Sequence, residues 1–316
     1  RPHVSIAVFF PLSFFLYYYL LQMSWIAAHE HVESWYTKYE HEFQPPICNK
    51  LLHRNQLAVM FVGGPNTRKD FHLDLGAEFF FQLRGSLVLP TVQAGKRVEV
   101  HIPAGHVFLL PSRIPHSPQR PDTGSLGLVV ERRRYDDELD CLRYYQDFDT
   151  ATTIEWQHYF HCFDLGRDLV PVVQQYKDYQ ASSKPMPVEP AAWPQDTTTT
   201  IPSPFALQPW LDDHADDLAA GKVLSLFGTD HPDSQTTVLV SGGPSEVPGG
   251  STTDECMETL LFQYKGDATV TVEGDEAADA TRLKEGEVLV CKAGRAFVVR
   301  GSEGAITLHV TMDPNG

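Results

Sequence analysis

The sequence predicts an all-β-dominated chain of two jelly-roll barrels with a few flanking helices. Three observations predict it. Short apolar runs separated by glycine turns fill residues 57–135. The same texture returns after Val223 and continues to the C-terminus. Three motifs of the first stretch are also echoed, in order, in the second. Many short strands at even spacing with glycine punctuation are the pattern of an antiparallel sandwich or barrel.

At the N-terminus, Val4–Leu21 is almost uncharged and about long enough to cross a bilayer. Its flank carries little positive charge, and no small-residue cleavage site precedes Met23. Residues 1–22 are therefore expected to be an extraneous or targeting segment, with Met23 as initiator. From Trp25, the spacing of Val32, Trp35, Tyr36, Tyr39 and Phe43 predicts an amphipathic helix, stopped by Pro45-Pro46. LAVMFV, EFFFQL, SLVL, VEVHI, VFLLP and LGLVVE then read as strands. Residues 136–182 look more helical and close the first unit, domain A, at 23–182. Residues 183–204 carry six prolines and Thr197–Thr200 with no apolar period, so 183–203 reads as a linker. Trp210–Ala220 reads as a short acidic helix opening domain B, residues 204–316.

The echoes support a duplication. Gly63-Gly64-Pro65 matches Gly242-Gly243-Pro244, Phe81–Gly85 matches Phe262–Gly266, and Ala104–Leu110 matches Glu285–Val290. A length of 316 residues fits two such units. With 25 Lys and Arg against 41 Asp and Glu, the net charge is −16, which disfavours nucleic acid or an anionic membrane surface as partner. Five scattered cysteines without a C-x-x-C pair exclude a disulfide scaffold and a zinc ribbon and fit a reducing cytosol. Two barrels in one chain could mimic the dimer of a single-barrel ancestor, so a monomer is expected.

His72, Glu78 and His116 come from three neighbouring segments of the first copy. Two imidazoles and one carboxylate form the facial triad of non-haem Fe(II) sites, which leaves one face of the metal for other ligands. A lone histidine is more often packed or solvated than a ligand. Here the spacing decides: Glu78 precedes Gly85 by seven positions, and Gly105, Pro111 and His116 follow as a strand–turn–strand unit. These are the spacings of the two cupin motifs, which sit on a double-stranded β-helix barrel. The departures are Asp74 in place of a second histidine, Arg113 in place of glycine and Arg120 in place of asparagine. Arg120 and Arg68 put two guanidinium groups near the expected metal and favour an anionic substrate, because a guanidinium binds a carboxylate through two parallel bonds. In the second copy Thr259 stands opposite Glu78, Phe297 opposite His116, and Thr253 or Ser251 opposite His72. The second barrel is therefore expected to be a degenerate, metal-free scaffold.

GGPNTRKDFH (63–72), EFFFQLRG (78–85), FLLPSRIPHSPQRP (108–121) and LVVERRR (128–134) resemble the 3-hydroxyanthranilate 3,4-dioxygenase family in its animal and fungal two-cupin form. PPICNK (45–50), ELDCLRYY (138–145) and LSLFG (224–228) add to the resemblance. It implies extradiol cleavage of 3-hydroxyanthranilate by O₂ to 2-amino-3-carboxymuconate semialdehyde, which cyclises to quinolinate on the kynurenine route from tryptophan to NAD. It implies His72, Glu78 and His116 as Fe(II) ligands and Arg120 on the substrate carboxylate. It further implies Glu131 on the amino group, Arg68 beside dioxygen and Asn49 as a polar pocket contact. The rival readings are a non-catalytic storage or small-molecule-binding bicupin and a gentisate-type dioxygenase. An intact triad in one copy beside its loss in the other speaks against the first, and Glu78 in place of a third histidine speaks against the second.

Overall fold

The computed structural model describes residues 25–44, 48–182, 187–250, 257–272 and 280–313. Residues 1–22, Met23, Pro45-Pro46 and the positions Ser251 and Thr253 lie outside the described residues. Among the described residues no helix is long and apolar enough to cross a membrane.

Period-2 alternation builds both barrels. In the first, six antiparallel strands run in the order Phe205–Ala206, His106–Leu110, Glu78–Arg84, Leu126–Arg132, Leu57–Gly63, Asn49–Arg54. Facing them are the hairpin Ser86–Gln93/Lys96–Pro103 and a three-stranded sheet of Ile154–Phe160, Asp140–Tyr145 and Phe71–Leu73. Single bridges at His72↔His116, Thr91↔His116 and Val88↔Gln119 sew these two pieces together through the segment that carries His116. Arg113, at the turn before it, has a φ of 62°, the left-handed region that the glycine of the usual motif would supply.

The second barrel repeats the plan. Its six-stranded sheet is Ile26–His31, Glu287–Cys291, Thr259–Lys265, Ile306–Met312, Thr236–Gly242, Val223–Ser225. Opposite lie Ser245–Gly249, Phe297–Gly301, Ala268–Val272 and Thr281–Leu283. The two large sheets pack back to back. Phe79, Phe81, Val107, Leu109, Leu128 and Val130 meet Leu260, Phe262, Val288, Val290, Leu308 and Val310 in one continuous core. The Phe81 and Phe262 rings meet edge-on, 5.4 Å apart. The residues that alternate with Phe79 and Phe81 along the strand, Glu78, Phe80 and Gln82, turn into their own barrel.

Three sequence expectations are corrected. The segment after Trp25 is not helical throughout: Ile26–His31 is a strand, and only Val32–Tyr39 is α-helix. The helical spacing begins only at Val32, and the segment before it pairs with Glu287–Cys291, which carries the N-terminal segment into the second barrel's sheet. Residues 136–182 hold two strands, Asp140–Tyr145 and Ile154–Phe160, before one helix, Leu165–Ala181. The aromatic residues of both strands, Tyr144 and Tyr145 in the first and Trp156, Tyr159 and Phe160 beside Ile154 in the second, favour this. The proline-rich stretch is no free tether in its described part, 187–203. Trp193 donates to the Leu139 carbonyl at 2.8 Å, Arg143 donates to Gln195 at 2.5 Å, and Ile201 is buried in the first barrel. Phe205–Ala206 beyond it still pairs with the first barrel, at Val107 and His106.

A buried carboxylate clamps the barrels. Glu258, fully buried, accepts from His53 Nε2 at 2.8 Å, Asn55 Nδ2 at 2.9 Å and the Leu57 amide at 3.0 Å. Gln56 completes the clamp, accepting from the Glu258 amide and donating to the Met312 carbonyl. Burial pushes the Glu258 carboxyl up, but His53, the Leu57 amide and Asn55 outweigh it and hold it below its ordinary value of 4.5. A carboxyl depressed by folding stabilises fully above its unfolded value and loses that contribution as pH falls. Glu258→Ala is expected to cost about 3 kcal/mol in urea unfolding, because buried donors lose their acceptor. Glu258→Gln is expected to flatten the loss of stability below about pH 4.5; a profile as steep as the wild type's would contradict the clamp.

Candidate metal centre

His72 sits in the short strand Phe71–Leu73, Glu78 opens the strand Glu78–Arg84, and His116 lies on the bridging segment. His72 and His116 exchange backbone bonds, N to O, at 2.7 and 3.0 Å, which fixes both imidazoles on one wall. Their rings stand 5.4 Å apart at 75°. One ligand atom from each of His72, Glu78 and His116 lies within 4.8 Å of the other two, and all three side chains are buried.

The donor set fits a divalent cation. His116 Nδ1 lies 3.0 Å from the Ile114 carbonyl, an acceptor, so Nδ1 carries the proton and Nε2 presents its lone pair to the cavity. That Nε2 lies 2.9 Å from Glu78 Oε1, a buried oxygen without a hydrogen-bond partner. Two facing acceptors require a shared cation, either a proton or a metal. Cis ligands of an octahedral ion with bonds of about 2.1 Å are about 3 Å apart, which matches this separation. Burial pushes Glu78 up, but His116 and then His72 outweigh it and hold the carboxyl at about 2. Burial lowers His116, but Glu78 outweighs it, so the imidazole is raised.

A second group, His72, Asp74 and Asp140, also brings ligand atoms within 4.8 Å. Its cation is already present as Arg134. Arg134 Nη2 donates to Asp74 at 2.9 Å, Nε to Asp140 at 3.0 Å, and Nη1 to Glu131. Asp140 also takes His72 Nε2 at 2.7 Å. Burial pushes Asp140 up, but Arg134 and His72 hold it at about 2. Asp74 goes the other way: burial and then the charge of Glu78 raise it well above the ordinary range. Arg134 is itself raised far above normal, since the pull of Asp140, Glu131 and Asp74 exceeds the effect of burial.

All seven residues expected from sequence line one pocket: Asn49, Arg68, His72, Glu78, His116, Arg120 and Glu131. Met60, Val62, Phe80 and Val129 supply its apolar wall. Glu131 stands directly across from Glu78 in register, and burial raises its carboxyl despite Arg134. Arg120 is 2% exposed, and its Nε and Nη2 have no hydrogen-bond partner. Burial lowers it to about 10. Arg68 also lines the pocket, but its guanidinium is held by Asp70, with Nε 3.0 Å from each carboxylate oxygen. Asn49 contacts Met60 Sδ at 3.8 Å. Sequence reasoning missed Arg134 and Asp140. The triple-arginine run after Glu131 is visible in the sequence, but nothing in it distinguishes Arg134, which reaches Glu131, Asp74 and Asp140, from Arg132, which is buried against Glu138.

Arg134→Gln strands three buried carboxylates, and the expected cost is about 3–5 kcal/mol in urea unfolding. Adding Asp74→Asn is expected to return part of it. Unchanged stability in the single variant would contradict Arg134 as their counter-charge.

A family model described as 3-hydroxyanthranilic acid dioxygenase matches residues 25–177. The chain is 40% identical over 288 residues to 3-hydroxyanthranilate 3,4-dioxygenase of Mus musculus, covering 90% of this chain and 96% of that one. The Homo sapiens protein of that name is 40% identical over 287 residues, with 90% and 96% covered. The Nematostella vectensis protein is 37% identical over 284 residues, with 89% and 97% covered. An oxalate decarboxylase of Lactobacillus farciminis, solved as a formate complex, is 18% identical with a TM-score of 0.48 over 86% of this chain and 82% of that one. That likeness is too remote to inform the chemistry. With two-fifths of its residues identical over nine-tenths of its length, the chain belongs to the 3-hydroxyanthranilate 3,4-dioxygenase family.

Proposed function

We propose that this protein is an Fe(II)-dependent extradiol dioxygenase that opens the ring of 3-hydroxyanthranilate. The observation that carries the reading is one buried pocket holding both the His72–Glu78–His116 donor set and the unpartnered guanidinium of Arg120. An aromatic acid with adjacent hydroxyl and amino groups matches both ends of it. Both atoms of O₂ enter the product, 2-amino-3-carboxymuconate semialdehyde.

His72, Glu78 and His116 would hold the iron, which supplies a redox-active Lewis acid able to take the aromatic and dioxygen together. Arg120 binds the carboxylate through its free Nε and Nη2 and fixes which ring carbon faces the centre. Phe80, Val129, Met60 and Val62 pack on the ring and keep water out. Glu131 faces the amino and hydroxyl groups. Its raised carboxyl suits it to take a proton from them and return it, and the bond to Arg134 keeps it aimed. Arg68 adds a fixed positive field beside the oxygen side, balanced by Asp70. Asn49 closes the rim. The described cysteines, Cys48, Cys141, Cys162 and Cys291, are free and buried, which accords with a cytosolic setting.

His72→Ala, Glu78→Ala and His116→Ala are each expected to lose iron and ring cleavage in parallel. Arg120→Ala is expected to keep its iron and raise KM by about 10- to 100-fold, the worth of a charged hydrogen bond. The checks are metal analysis and the semialdehyde absorbance on admitting air to anaerobic, iron-loaded protein. Stoichiometric Fe(II) with 3-hydroxyanthranilate left unconsumed would overturn the reading.

A further inference from the structure

We propose that Gly127, together with Gln82, positions Arg120 and thereby sets the preference for a carboxylate-bearing aromatic. This rests on the reading of Arg120 given above and extends it to two residues outside the seven.

Gly127 lies within the regular strand Leu126–Arg132, and its φ is not in the left-handed region. Its lack of a side chain therefore answers to space rather than to backbone conformation. A Cβ there would fall 2.9 Å from Arg120 Nη2 and 2.7 Å from Gln82 Oε1, closer than real Cβ atoms approach. The guanidinium and the amide oxygen thus converge on the gap that Gly127 leaves. Gln82 is turned that way because its Nε2 is engaged by the Arg84 carbonyl at 2.7 Å and Ser125 Oγ at 2.9 Å. The backbone of Arg120 is pinned by paired bonds to Asn66, both 2.7 Å. The long side chain consequently has a fixed root and one lane to follow.

The second barrel shows the same position closed. Gln263 occupies the place of Gln82, pairing with Thr307 as Gln82 pairs with Gly127. Gln263 Nε2 likewise donates to the carbonyl two residues on, that of Lys265. There Thr307 Oγ1 donates to Gln263 Oε1 at 2.8 Å and fills the gap. The place of Arg120, paired with Asn66 after a Gly-Gly-Pro turn, is taken by Gly301, paired with Ser245. Large and small have changed places: arginine opposite glycine in one barrel, glycine opposite threonine in the other. The lane exists only where a guanidinium uses it.

The test is anaerobic binding to iron-loaded protein of two probes, 3-hydroxyanthranilate and 2-aminophenol, which lacks the carboxylate. The wild type is expected to bind the acid more tightly. Gly127→Ala and Gly127→Thr are expected to weaken the acid by about 10- to 100-fold, the scale of one charged hydrogen bond, and to leave 2-aminophenol and iron content unchanged. In an Arg120→Ala background Gly127→Thr is expected to change neither affinity, and to fold with the Thr–Gln bond of the second barrel. Folding of that double variant where Gly127→Thr alone fails would also support the shared lane. A folded Gly127 variant with wild-type discrimination between the probes overturns the proposal. A wild type that binds both probes equally would instead overturn the role given to Arg120.

Discussion

Four carboxylates buried in one small barrel are the constraint on which this structure turns. Glu78, Glu131, Asp74 and Asp140 crowd the same end of the first barrel, and Glu78 and Glu131 are direct cross-strand neighbours. Like charges at that range cannot all be ionised without cations among them. Arg134 answers three of the four. Glu78 is left facing the two imidazoles, which is the place where a further positive charge is needed. A 2+ ion bound there would complete a charge balance that the polypeptide leaves open on one side.

The second barrel explains how such a cluster is tolerated. Its large sheet covers the back of the first and buries the outward-facing Phe79, Phe81, Leu128 and Val130. The alternate residues of the same strands are thereby released for chemistry. Glu78, Phe80 and Gln82 on one strand face Glu131, Val129 and Gly127 on the next. This ladder runs from a carboxylate end, through an apolar middle, to a guanidinium end. In the second barrel Thr259 and Phe297 stand at the positions of Glu78 and His116, and its interior combines apolar Leu261, Val270, Leu289 and Val299 with the buried pairs Gln263–Thr307 and Ser241–His309.

Much of this was legible in the sequence because strand periodicity and glycine turns are local signals. The barrel strands between 57 and 132, the Glu78 and His116 segments and the duplication all follow from such signals. What depended on distant pairing was not legible. Ile26–His31 carries no strand alternation of its own, yet it is a strand because Glu287–Cys291 offers an edge. The polar, proline-rich stretch gives no sign that Trp193 and Ile201 are seated on the first barrel. Within ERRR no pattern separates Arg134, which turns to three carboxylates, from Arg133, which is exposed. Gly127 looks like any strand glycine until its neighbours across the barrel are known.

The most direct measurement is crystallographic: anomalous scattering at the iron edge from crystals grown with Fe(II) without oxygen. One ion per chain is expected, bonded to His72, Glu78 and His116, with no peak in the second barrel. An ion held instead by His72, Asp74 and Asp140, with Arg134 displaced, would contradict the charge balance described here.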